Sequence, residues 1–230
     1  MNEQDVLEYF EQFILEQENQ GSNAYLKINE FFDDVKERFL QEGKHSSPVQ
    51  GRQAWVRLVG AALEGIVVMA IEEFCRKYGL KITNDKELKR PQNEELDRVR
   101  RNVEVIFGEY SLLPDGDIVI YCPSNFEVLA ILSIKNSFRE RYTETPYWKL
   151  KLKESEVTRN ILVFMVTPDK DGEISFVSGR NGPRKARIVM EYELDGIYLA
   201  RDEFEASPKV KSFTELVKDL EKVVRERSCP

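Results

Sequence analysis

The first part of the chain follows the hydrophobic spacing of helices. Apolar residues recur every three or four positions through residues 4–18 and 24–42, and this spacing predicts two amphipathic helices. A linker is expected in EGKHSSPVQGR, and a long helix is predicted over 52–78, ending before Gly79. The polar stretch NDKELKRPQNEELDRVRRN is expected to be helical after Pro91. The pattern therefore predicts a helical extension ahead of a long core helix.

Beyond residue 102 the apolar spacing changes to that of strands. We expect a β-meander over 103–112, 117–121 and 128–136, a helix over 144–157, a buried strand in NILVFMVT, strands in EISFVS and RIVMEYEL, and a closing helix over 212–227. The central part thus has the order helix, three strands, helix, strand. Such a succession is typical of a domain that mixes a sheet with covering helices.

The composition predicts a soluble globular protein, because 33% of the residues are charged and 41% are hydrophobic. The longest apolar run, 58–71, contains Glu64 and is shorter than the roughly 20 residues that span a bilayer. The amino terminus lacks the apolar region of a signal peptide. Three scattered cysteines without a CxxC pair argue against structural zinc and favour a reducing compartment. We therefore expect a cytoplasmic protein that does not bind membranes.

The net charge of −7 does not exclude a nucleic-acid partner, because DNA binding requires a basic face rather than a basic protein. Lysine and arginine outnumber glutamate between residues 135 and 159, and a second basic cluster lies in SGRNGPRKAR. Lys149 in the first cluster and Arg184 and Lys185 in the second are candidates for contacts with DNA phosphates. The alternatives are the solvated face of a helix and a charged turn.

Glu64 is the one charged residue in the apolar run 58–71. Because Gly60, Ala61 and Val68 lie about one helical turn away, the helix is expected to be buried on all sides. A lone buried carboxylate costs several kcal/mol, roughly, unless it is paired or bound to a metal. Two interpretations follow: a functional carboxylate or a core salt bridge with an arginine.

A predicted hairpin brings further candidate residues together. Asp117 opens one strand and Lys135 ends its partner, so the two are expected nearly opposite each other, with Ser133 on the same face as Lys135. Asp117, Glu64 and the backbone carbonyl of Ile134 could hold a Mg²⁺ ion that polarises a phosphate. Lys135 could orient an attacking water and offset developing charge. These groups suit the hydrolysis of a phosphodiester bond.

The stretch PDGDIVIY…SIK resembles the PD-(D/E)xK nuclease superfamily, whose core order of helix, three strands, helix, strand matches residues 52–167. The second acidic position of that motif is Ser133 here. Some restriction endonucleases of the superfamily, those that read CCGG-containing sites, have serine there and take the carboxylate from the preceding helix, which implies this role for Glu64. The letters PD point to Asp115, whereas the family's metal-binding aspartate directly precedes the apolar strand, which favours Asp117.

The stretch KNSFRERY resembles the K-x-S…R-(S/D/E)-R segments of type II restriction endonucleases that read adjacent G·C pairs. Arginine can bind guanine through two hydrogen bonds, and glutamate can accept one from cytosine. The resemblance therefore implies base readout by Arg139, Glu140 and Arg141, within a DNA-contacting segment that includes Asn136 and Ser137. The alternative is a solvated run of charges ahead of the next helix.

The resemblance implies an α/β (α+β) fold with a PD-(D/E)xK core and a mixed central sheet flanked by helices. We expect a single nuclease domain over 1–230, made of a helical N-terminal extension (1–48), the catalytic core (52–167) and C-terminal strands and a helix (168–230). No P-loop, GxGxxG or GxSxG motif is present, and the single histidine argues against histidine-based nucleases.

The function implied is that of a type II restriction endonuclease, which uses Mg²⁺ to cut duplex DNA at a short palindromic site containing G·C pairs. A homodimer is expected, because a palindrome mirrors two-fold symmetry. A cognate DNA methyltransferase is expected as a genetic partner and not as a stable complex. The alternatives are a repair or junction nuclease on the same fold, and a DNA-binding or assembly protein without catalysis. Intact Asp117 and Lys135 argue against the last.

Overall fold

A mixed β-sheet lies at the centre of the computed structural model, which describes residues 1–42, 47–138, 141–178 and 182–227. In these residues six strands pair in the order β1-β4-β5-β6-β7-β8, and β2 and β3 form a separate hairpin. The strands are β1 (Lys81–Thr83), β2 (Val105–Phe107), β3 (Tyr110–Leu112), β4 (Ile118–Tyr121), β5 (Val128–Ile134), β6 (Leu162–Thr167), β7 (Gly196–Leu199) and β8 (Val210–Ser212). The pairs β1–β4 and β4–β5 are antiparallel, and the pairs from β5 to β8 are parallel.

Helices cover both faces of this sheet, as expected for the predicted α/β class. They are α1 (Glu3–Asn19), α2 (Ile28–Glu42), α3 (Pro48–Lys77), α4 (Asp85–Lys89), α5 (Glu94–Arg101), α6 (Glu144–Leu152), α7 (Lys185–Glu193) and α8 (Leu216–Arg227). Apolar residues of α1, α2, α3 and α8 form a buried cluster on one face, and those of α4 to α7 form another on the opposite face. The predicted mixed sheet flanked by helices is confirmed.

The prediction of the meander is wrong in its first strand. Residues 103–112 form the separate hairpin β2–β3, in which Gly108 adopts a φ of 62° at the turn. The third antiparallel strand of the sheet is β1, which pairs with β4 through Lys81–Tyr121. Three residues are too few to show an alternating pattern, so β1 was not evident from the sequence. In the six-stranded sheet β1 takes the place expected for residues 103–112, although α4, α5 and the β2–β3 hairpin lie between β1 and β4 in the chain.

Two predicted strands near the C-terminus are also wrong. The stretch RIVMEYEL lies mostly in α7, whose buried residues Ala186 and Met190 are four positions apart, which is helical spacing. Its β-branched residues suggested a strand, but packing against the sheet decided the outcome. The stretch EISFVS is not a strand, and the short strands β7 and β8 were not predicted. The strands β7 and β8 have only four and three residues, too few to show a clear strand pattern in the sequence.

The long core helix α3 begins four residues before its predicted start. The Ser47 side chain accepts a hydrogen bond from the Gln50 amide, and Pro48 occupies the first turn, where proline is well tolerated. Within the described residues, α3 is the one helix long and apolar enough to cross a membrane, although the run 58–71 was expected to be too short. Its residues pack against α1, α2, α8 and the sheet, as in the core helix of a globular domain.

Lys149, a predicted candidate for contact with DNA phosphates, is buried within the fold. Its side chain is 4% exposed, and its Nζ lies 2.6 Å from Asp195 Oδ2. Nζ also donates to the Ile161 carbonyl at 2.8 Å. Burial lowers the pKa of Lys149, and the Asp195 carboxylate acts in the opposite direction. Arg187 of the second basic cluster is likewise buried, at 2% exposure.

We predict that Lys149→Ala destabilises the protein by about 3 kcal/mol, because it leaves Asp195 without its cation in a largely desolvated site. Lys151→Ala is the matched control, since Lys151 pairs with the exposed Glu154 and such surface pairs contribute about 0–1 kcal/mol. Urea unfolding of the two variants measures both values. Equal stabilities would contradict the structural role given to Lys149.

Candidate active site

Asp117 and Lys135 meet where β4 begins and β5 ends. The pairing of Ile118 with Leu132 places Asp117 beside the last residues of β5. Asp117 Oδ2 accepts a hydrogen bond of 2.6 Å from the Ile134 amide and lies 3.4 Å from Lys135 Nζ. The structure therefore brings Asp117 and Lys135 together, as expected from the predicted hairpin.

Glu64 reaches the same place from the side of α3. Its side chain is 32% exposed, so the expectation that α3 is buried all round is wrong at this position. Lys86 Nζ lies 3.9 Å from its Oε2, so among the described residues its ion-pair partner is a lysine and not the arginine of the alternative interpretation. Burial raises the pKa of Glu64, and the negative charge of Asp117 raises it further. Glu64 is thus close enough to Asp117 for the two carboxylates to repel each other.

A cleft of about 320 Å³ joins these groups. Its walls contain seven of the predicted site residues: Glu64, Asp117, Ile134, Lys135, Asn136, Ser137 and Arg141. Trp55, Val56, Val59 and Phe138 add apolar surface. Arg139 and Glu140 lie outside the described residues, so their predicted role in base readout stays a prediction. The cleft combines carboxylates, a lysine and an arginine, which can bind a cation and a phosphate side by side.

The electrostatics of the cleft suit a bound cation. Burial raises the pKa of Asp117, whereas Lys135 and the Ile134 amide oppose this shift. Among the residues that the structure describes, no group of three or more His, Cys, Asp or Glu side chains has the arrangement of a metal site. Mg²⁺ commonly takes only one or two carboxylates and completes its shell with waters and substrate phosphates. The pair Asp117 and Glu64 fits this kind of binding.

Glu144 is a further carboxylate near the site that the sequence did not identify. It is the first residue of α6, and its pKa is raised by burial and by a hydrogen bond with Asp115, whereas Lys135 lowers it. Asp115 is exposed and is not among the residues that line the cleft, whereas Asp117 lines it. This arrangement favours Asp117 over Asp115 as the cleft carboxylate.

Three other predicted site residues lie apart from the walls of the cleft. Ser133 is fully buried, and its hydroxyl accepts a hydrogen bond of 3.0 Å from Thr145 Oγ1, so it supports α6. Arg184 and Lys185 are exposed at the start of α7. Both remain candidates for contact with a DNA phosphate.

Comparisons with known proteins identify the family. Residues 82–222 match the family described as BsaWI restriction endonuclease type 2. The chain is 41% identical to the Methanocaldococcus jannaschii protein named "Putative type II restriction enzyme MjaVIP", over 92% of this chain and 96% of the relative. It is 48% identical to the Helicobacter pylori protein named "Probable type II restriction enzyme HpyAORF263P", over 74% of this chain and 92% of the relative. The chain therefore belongs to the BsaWI family of type 2 restriction endonucleases.

Proposed function

We propose that the protein is a type II restriction endonuclease that uses Mg²⁺ to hydrolyse duplex DNA at a short palindromic site containing G·C pairs. Membership of a restriction endonuclease family implies DNA as the partner and phosphodiester hydrolysis as the reaction. One observation carries the finer proposal: Asp117, Glu64 and Lys135 share a cleft with Arg141. The relatives' names favour restriction over the alternative of a repair or junction nuclease.

The proposed catalytic roles follow from the contacts of each group. Asp117 Oδ2 accepts a hydrogen bond from the Ile134 amide, which fixes the carboxylate at the end of β5. Mg²⁺, when bound by Asp117 and Glu64 with the Ile134 carbonyl nearby, would polarise the phosphate and lower the pKa of a water. Lys135 Nζ lies 3.4 Å from Asp117 Oδ2 and can orient the nucleophile against the phosphate.

The proposed recognition segment continues directly from the catalytic lysine. Asn136, Ser137 and Arg141 line the same cleft as Lys135, so a base contact there would be close to the scissile phosphate. We extend this segment to Arg139 and Glu140 on the resemblance of KNSFRERY to segments that read G·C pairs. Recognition and cleavage would then depend on one stretch of backbone.

The proposed assembly is a homodimer acting on a palindrome. Two copies related by a two-fold axis would present the same cleft to each strand of a symmetric site. Cutting at such a site would damage the host's own DNA unless a methyltransferase modified it. We therefore propose a restriction–modification pair in which the methyltransferase acts separately and does not form a stable complex.

Incubation of the protein with plasmid DNA and Mg²⁺, followed by sequencing of the ends, tests the function. We predict cleavage at one short palindrome containing G·C pairs, and loss of at least about 100-fold in rate for Lys135→Ala, because a group that stabilises the transition state is removed. The Lys135→Ala variant should bind the cognate duplex in Ca²⁺ with nearly the affinity of wild type. Lys218→Ala, at an exposed position on α8, is the control. Near-normal cleavage by Lys135→Ala would reject the assignment.

We predict that Arg141→Ala lowers discrimination between cognate and random duplexes by about 1–3 kcal/mol, because one base contact made through two hydrogen bonds is lost. Titrations in Ca²⁺ at several salt concentrations measure this. If Arg141 contacted only phosphate, its loss would instead weaken binding to both duplexes equally. It would also reduce the slope of log affinity against log salt concentration by about one. That result would remove Arg141 from the base-reading segment.

A further inference from the structure

A tight turn between β6 and α7 lies beside the proposed recognition segment. It spans residues 169–172, and the Gly172 amide donates to the Asp169 carbonyl at 3.0 Å. Asp169 and Gly172 have φ angles of 47° and 67°, in the left-handed region. Aspartate tolerates this region better than most residues, and glycine adopts it without strain. The sequence therefore suits a sharply bent backbone at this point.

The buried carboxylate of Asp169 fixes the shape of this turn. Asp169 is 0% exposed and accepts hydrogen bonds from the amides of Glu173, Ile174 and Ser175, at 2.9, 3.0 and 2.8 Å. The Ser175 hydroxyl donates to it as well. Charge-assisted hydrogen bonds of this kind are stronger than neutral ones. The turn is therefore ordered by hydrogen bonds among its own residues.

Two hydrogen bonds connect the turn to the residues that follow Lys135. The Lys170 amide donates to the Asn136 carbonyl at 3.1 Å. The Phe138 amide donates to Asp171 Oδ2 at 2.9 Å. The Phe138 ring is buried in the core at 2% exposure. The turn thus holds the backbone at both ends of residues 136–138.

These bonds continue the pairing between β5 and β6 beyond its last register pair, Ile134 and Val166. The Lys135 amide still donates to the Val166 carbonyl of β6, at 3.1 Å. Residues 136–138 have left the strand, so their peptide groups need other partners. A recognition segment that is already ordered loses less conformational entropy when it binds.

We propose that Asp171 is a positioning residue for DNA recognition and cleavage. Its carboxylate accepts from the Phe138 amide and so sets the path of the backbone over residues 136–138, directly after Lys135. This inference rests on the proposed function of the cleft. Asp171 itself is exposed and does not line the cleft, so it would act through the backbone rather than by touching the reacting atoms.

The test compares Asp171→Ala with Asp171→Asn. Alanine removes the acceptor, whereas asparagine keeps a side-chain oxygen that can accept from the Phe138 amide. We expect Asp171→Ala to lower kcat/KM on cognate DNA by about 10- to 100-fold, since small misplacements of a site cost this much. Asp171→Asn should retain most of the activity. Glu173→Ala, which removes a charge from the same loop but keeps its backbone bond to Asp169, should resemble wild type.

Hydrogen–deuterium exchange separates this inference from the proposed function. Asp171→Ala should speed exchange in peptides covering residues 136–138, without changing those of α1, whereas Asp171→Asn should not. If wild type cuts no DNA, the proposed function fails while the exchange result still reports on positioning. Three results would overturn the inference: unchanged exchange in Asp171→Ala, wild-type cleavage by Asp171→Ala, or equal losses in the alanine and asparagine variants.

Discussion

The hydrogen bond from the Ile134 amide to the Asp117 carboxylate is the interaction on which the site depends. At 2.6 Å it joins the start of β4 to the end of β5, where a side chain rather than a backbone carbonyl accepts from the amide. This bond holds the Asp117 carboxylate close to Lys135, whose Nζ lies 3.4 Å from Oδ2. Burial and neighbouring carboxylates raise the pKa values of Asp117 and Glu64 and so disfavour their negative charges. A bound cation would offset this electrostatic cost.

The topology of the sheet brings the remaining parts to the same edge. An antiparallel pair places the start of β4 next to the end of β5, and a parallel pair places the end of β6 beside it. The catalytic candidates Asp117 and Lys135 therefore lie next to the turn that carries Asp171. Helix α3 crosses one face of the sheet and supplies Glu64. Strand direction, more than local sequence, determines which side chains can share this cleft.

The sequence predicted those features that depend on local structure. Asp117 and Lys135 belong to one hairpin, so their approach followed from strand pairing alone. Glu64 was identified because its charge interrupts an apolar run, although its partial exposure depends on how α3 packs. Glu144 could not be identified, because its relation to Lys135 requires the tertiary path through α6. The strand predicted over RIVMEYEL failed because packing, which a local pattern does not contain, selects a helix there.

The most direct measurement is a crystal structure of the protein with its cognate duplex and Ca²⁺, which supports binding without efficient cleavage. We expect a Ca²⁺ ion with oxygen atoms of both Asp117 and Glu64 at about 2.3–2.6 Å, the scissile phosphate completing its shell, and Lys135 beside that phosphate. An ion bound by Glu144 and Asp115 instead, or DNA lying on another face, would contradict it.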